Sequence, residues 1–144
     1  MNFRCTQLLF PLAFKSMRKR RGLLQKTVAW QLGMDATVLC AVETGTRAPL
    51  DVEQLRKAVG LLQLTEEEVR ELNWSAHHDR LVCGLEHKGA SDLEIEFFSR
   101  GLQALRHLEP KQIKGLIVSL QEIEKSANLM ASLGTYNPLR EARP

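Results

Sequence analysis

Aromatic side chains are scarce in this chain: five Phe, two Trp and one Tyr make up 6% of 144 residues. A core built on ring stacking is excluded, so Leu, Val, Ile and Ala must fill most of the interior. Cysteine is scarce as well. Cys5, Cys40 and Cys83 are an odd number at wide spacing, which excludes a disulfide framework and a paired-cysteine zinc knuckle and fits reduced thiols. The apolar part of the opening "MNFRCTQLLFPLAF" is too short to span a bilayer. It is also broken by Pro11, runs at once into "KSMRKRR" and has no small-residue cleavage site, so it does not read as a secretory leader. A cytoplasmic protein with no membrane contact is expected. Sustained apolar–polar alternation and hairpin dipeptides are missing, which argues against a sheet. Nucleophile motifs, a P-loop and a dinucleotide fingerprint are missing too, so neither catalysis nor a cofactor is expected.

What is present is a folded composition, 44% hydrophobic and 26% charged. The net charge of +3 conceals an asymmetry. Residues 1–65 hold ten Lys/Arg against four Asp/Glu, whereas residues 66–144 hold ten against thirteen. A basic front half suits a polyanion, and an acidic back half suits another task.

Periodicity predicts helices almost throughout. The first runs from about Pro11 to Gly22 with Phe14 and Met17 inward, and the second from about Gln25 to Leu32, stopped by Gly33. Asp35 is placed to cap a third helix, with Val38, Leu39 and Val42 inward and Gly45 at its end. Asp51 caps a fourth, carrying Val52, Leu55, Ala58, Val59 and Leu62 inward. Thr65 with Glu68, and Ser91 with Glu94, are capping-box pairs opening a fifth and a sixth helix. The sixth is expected to turn Leu93, Phe97, Phe98, Leu102, Leu105 and Leu108 inward. Pro110 starts a seventh. Its stripe Ile113, Leu116, Leu120, Ile123, Ala127 and Met130 alternates intervals of three and four, the spacing of a helix–helix seam.

Residues 25–44 have the plan of a helix, a glycine turn and a second helix. Ala29 must be small where the helices cross, Gly33 makes the turn, and Val28, Leu32, Leu39 and Val42 form the wedge between them. The stretch "MRKRRGLLQKTVAWQLGMDATVLCAVETGTRAP" resembles the lambda repressor/Cro-type (XRE-type) helix-turn-helix regulators. The matching positions are Arg18, Gly22, Gln25, Ala29, Leu32, Gly33, Glu43, Gly45 and Pro49, within residues 12–65.

Periodicity and the resemblance together lead to the expected fold, an all-α protein with a five-helix lambda-repressor-like DNA-binding domain followed by a C-terminal helical hairpin, the hairpin resting on the stripe of the seventh helix alone. Over residues 12–65 the resemblance adds roles for single residues. It implies that Gln25 holds a phosphate and braces the recognition helix, with Lys26 beside it. Arg18 and Glu43 would form an internal ion pair. Ala36, Thr37, Cys40 and Ala41 would face the groove, and Thr46 and Arg47 the phosphate backbone. Two departures matter. Leu24 stands where the family has a capping Ser or Thr, and no groove-facing position carries a bidentate donor for a base. Thymine methyls and groove shape are left to be read.

The division expected is a 1–11 arm, in which Arg4 could reach around a duplex, a 12–87 DNA-binding domain, a 91–133 hairpin for dimerisation or partner binding, and a 134–144 tail. The function expected is a dimeric, promoter-occupying repressor that binds double-stranded DNA. The alternative is a protein-interaction module, an anti-regulator or antitoxin, whose scaffold or hairpin binds a protein partner. His77, His78, Cys83 and His87 cluster on the fifth helix, but no second set completes a metal site, so no metal is expected. Trp30 is read as a partly buried packing residue, or else as an aromatic on a partner-facing surface.

Overall fold

The computed structural model describes residues 8–135. Among these the chain is all-α: α1 Phe10–Arg20, α2 Gln25–Gln31, α3 Ala36–Thr44, α4 Val52–Leu62, α5 Glu66–His87, α6 Asp92–Leu105 and α7 Pro110–Thr135. None of these helices is long and apolar enough to cross a membrane.

The punctuation follows local chemistry. Asp35 caps α3 by accepting from the Thr37 N–H, and Asp51 with Gln54 and Thr65 with Glu68 close reciprocal capping boxes on α4 and α5. Ser91 and Glu94 exchange the same two bonds ahead of α6. Gly33 (φ +70°) makes the turn between α2 and α3. Gly45 (φ +80°) ends α3, and a Cβ there would meet Leu8 Cδ1 at 3.4 Å. Leu24 precedes α2 with no side-chain cap.

Two compact units are present, residues 1–102 and 103–144. The core of the first joins Phe10, Phe14 and Met17 of α1 to Val28, Leu39 and Val42 of α2 and α3, and to Leu55, Leu62 and Leu72 of α4 and α5. Phe10 and Phe14 are fully buried, with ring centroids 5.7 Å apart. Two of the few rings thus sit at the centre.

Three burial expectations are corrected. Of the stretch 1–11 expected as an arm, Phe10 is a core residue and Pro11 lies in the first turn of α1. Arg4 lies outside the described residues, as does the tail beyond residue 135. Val52 faces outward, 78% exposed, since Leu55, Ala58 and Leu62 complete the inner face of α4. On α6 the inward residues are Ile95 and Ser99, while Leu93 and Phe97 are 77% and 61% exposed. Ser99 meets a buried histidine of α5, and one helix cannot turn both stripes to the same neighbour. The first unit therefore continues past residue 87 into α6. Finally, Trp30 is 80% exposed and packs on little, because Val28, Ala29 and Leu32 occupy the buried side of its helix.

Candidate functional site

Three side chains lock α1, α2 and α3 together. Arg18 Nε and Nη2 donate to the two Glu43 oxygens at 2.6 and 2.9 Å, and Nη1 donates to the Leu23 carbonyl at 2.7 Å. Both side chains are over nine-tenths buried. The Glu43 hydrogen bonds raise the Arg18 pKa above its ordinary value. Gln25 Nε2 adds a bond to Glu43 Oε2 at 2.8 Å. The first residue of α2 and the end of α3 are thereby fixed to one carboxylate. Removing one partner would leave a buried charge unpaired.

The clamp steadies an exposed face. Thr37, Cys40 and Thr44 are exposed at helical intervals along α3, with Ala41 partly exposed between them, and Thr46 and Arg47 continue it past Gly45. Lys26 is exposed on the first turn of α2. Ala36 differs from the others: it is half-buried and packs against the core, so its methyl is largely spent inside. Thr37 is also committed, since its hydroxyl and its N–H both donate to Asp35 Oδ1 at 2.8 Å. Those two bonds, the backbone one first, hold the Asp35 carboxyl below the usual carboxylate range. The Thr37 oxygen can still accept. Thr44, which the sequence reading passed over, lies on the same face, and its hydroxyl donates to the Cys40 carbonyl at 2.9 Å. Its signal was the spacing from Thr37, seven residues, or two turns.

A second polar group lies inside the same unit. Asp79 of α5 accepts from Leu9 N–H and Phe10 N–H, both at 2.9 Å, one with each oxygen. It supplies the cap that α1 lacks locally. His78 Nδ1 lies 2.8 Å from Asp79 Oδ1, and His78 Nε2 lies 2.9 Å from Ser99 Oγ. The order hydroxyl–imidazole–carboxylate is that of a hydrolase triad. All three groups are shut from solvent, at 0–1% exposure, so what the arrangement does is tie α6, α5 and α1 together. His78 and Asp79 are spent on this internal network. Among the described residues, no group of three or more His, Cys, Asp or Glu is placed to hold a metal ion.

Residues of α4 and α5, among them Val52, Leu55, Val59, Val69, Arg56 and Arg80, line an open groove of about 490 Å³. Both guanidiniums are engaged, Arg56 by Glu53 and Arg80 by the Leu50 carbonyl. On α7, described by itself, Leu116, Leu120, Ile123 and Met130 are 48–72% exposed, Ala127 is exposed and Ile113 half-buried.

Compared with models of protein families, with curated proteins and with solved structures, the chain matches none.

Proposed function

We propose that the protein is a DNA-binding transcriptional regulator of the lambda repressor/Cro type, acting as a dimer that represses by occupying a promoter in the cytoplasm. In this reading α1–α5 form the DNA-binding headpiece, with α6 tied to it through Ser99, α3 enters the major groove, and α7 supplies the dimer contact. The observation that carries it is the exposed face of α3, set between Lys26 and Arg47 and held from behind by the buried Arg18–Glu43–Gln25 clamp. A groove-reading helix must be rigid and exposed at once, and this clamp supplies the rigidity without using the outer face.

The chemistry of that face sets the kind of recognition. It carries methyl groups, a thiol and hydroxyls already bonded to the backbone or to a cap. It holds no Asn, Gln or Arg aimed along α3, so the bidentate contacts worth roughly 1–3 kcal/mol each are missing. Cys40, Ala41 and the Thr37 methyl offer apolar contact to thymine methyls. Lys26, Arg47 and the Thr46 hydroxyl offer phosphate contacts, which place the helix without reading sequence. Specificity then rests on A·T steps and on groove shape.

Selection of random duplex DNA by the purified protein, at near-physiological and at higher salt, tests this. A two-fold, A·T-rich motif with steep salt dependence is expected, and T37A/R47A should weaken binding strongly. Recovery of no motif, with unchanged weak binding by that variant, would sink it. One observation favours a second reading, a protein-interaction module: Trp30 stands 80% exposed on α2 rather than in the core.

A further inference from the structure

We propose that the outer face of α3 reads 5-methylcytosine in preference to thymine or cytosine, so that methylation of its site strengthens binding; this rests on the DNA-binding reading above. The face is short of donors rather than of polar atoms. Thr37 Oγ1 gives its hydrogen to Asp35 Oδ1 at 2.8 Å, and Thr44 Oγ1 gives its own to the Cys40 carbonyl at 2.9 Å. With their hydrogens so placed, both oxygens can only accept. Cys40 adds a thiol, which is a weak donor, and the Thr37 and Ala41 methyls stand one helical turn apart.

Asp35 extends the acceptor set. It is the N-cap of α3, at the end from which a groove-reading helix contacts base edges. Its side chain is exposed, and both bonds from Thr37 end on Oδ1, which leaves Oδ2 with no partner among the described residues. The same bonds, the backbone one first, hold this carboxyl below its usual range, so it meets DNA as a carboxylate.

The pyrimidines differ at two neighbouring ring positions in the major groove. Cytosine presents an amino donor at C4, whereas thymine presents an acceptor oxygen there and a methyl group at C5. A carboxylate accepts from the amino group and is repelled by the oxygen. Apolar side-chain groups gain contact only where the C5 methyl exists. 5-Methylcytosine carries the amino group and the methyl side by side, so one base satisfies both halves of the face. In unmodified DNA an A·T pair comes nearest, with the thymine methyl and the adenine amino group on either side of O4.

Selection by the purified full chain from random duplex DNA made with 5-methylcytosine in place of cytosine tests this. The recovered site is then remade with 5-methylcytosine, cytosine, thymine or uracil at each enriched pyrimidine, and fluorescence anisotropy at fixed salt ranks the affinities. Enrichment of 5-methylcytosine is expected, with thymine and cytosine bound about tenfold more weakly and uracil more weakly again. Asp35→Asn keeps a cap of equal quality, and its amide can donate to O4, so it should move the preference to thymine. A recovered site that binds equally with 5-methylcytosine, thymine and cytosine overturns the proposal and keeps DNA binding. An Asp35→Asn variant that melts like the parent and keeps the parent's ranking overturns the role of Asp35. Recovery of no motif, with only weak binding that salt abolishes, overturns the DNA-binding reading and this one with it.

Discussion

Asp79→Ala is the perturbation that most directly probes how this fold is held. Asp79 sits on α5, yet both of its oxygens are spent on the first turn of α1, accepting from Leu9 N–H and Phe10 N–H at 2.9 Å. Hydrogen bonds to a charged acceptor contribute roughly 1.5–3 kcal/mol each, and a buried N–H left without an acceptor adds its own penalty. Some of the loss is returned because the burial cost of the carboxylate itself disappears. We expect a net destabilisation of ~3–4 kcal/mol, a large share of the ~5–15 kcal/mol typical of a folded domain. Thr65→Ala, which removes the exposed cap of α5, is the control and should cost only ~1 kcal/mol. Urea unfolding followed by helical circular dichroism measures both, with an expected midpoint shift above ~1 M for Asp79→Ala at an unchanged slope. If Asp79→Ala unfolds within ~1 kcal/mol of the parent, α1 is anchored by its apolar face alone, and the remote cap is incidental to stability.

Two further perturbations address the clamp and the acid limb. Glu43→Leu alone should cost ~3–5 kcal/mol by stranding the Arg18 charge, whereas adding Arg18→Met should recover much of the loss; a double-mutant cycle in urea reads the coupling, and additive losses would mean that the pair does not act as a unit. Glu68 is held at about 2, below its ordinary 4.5, first by the Arg21 hydrogen bond and then by the Thr65 N–H. A depressed carboxylate contributes stability above its unfolded value that is lost as pH falls from near 4.5 towards 2, so Glu68→Gln should flatten this part of the acid limb. Melting temperatures between pH 6 and pH 2.5, compared for the two proteins, should differ in slope, and parallel curves would assign the acid loss to other groups.

How far the residues foretold the molecule depended on the range of the forces involved. Asp35, Asp51 and Thr65 stop and start helices through bonds to residues two or three positions away, so their roles could be read along the chain. Gly33 and Gly45 are turn residues for a reason internal to their own backbone. Arg18 and Glu43 are 25 positions apart, and only the family resemblance brought them together on paper. Trp30 and Phe97 misled for a common reason: large apolar residues count towards burial in any periodicity, but a helix has one inner face, and its neighbours choose which residues occupy it.

By itself the sequence determined the seven helices of the described residues, the caps of α3 to α6, the glycine turns, the all-α class and the stripe along α7, since each depends on interactions within one or two turns. The tertiary structure decided that Asp79 caps a helix some 70 positions away, that Ser99 rather than Phe97 turns α6 inward, and that Ala36 and Thr37 are partly spent on the core and a cap. These depend on which surfaces meet when the helices pack. A buried donor takes whatever acceptor the packing brings within reach, and local sequence carries no record of that partner.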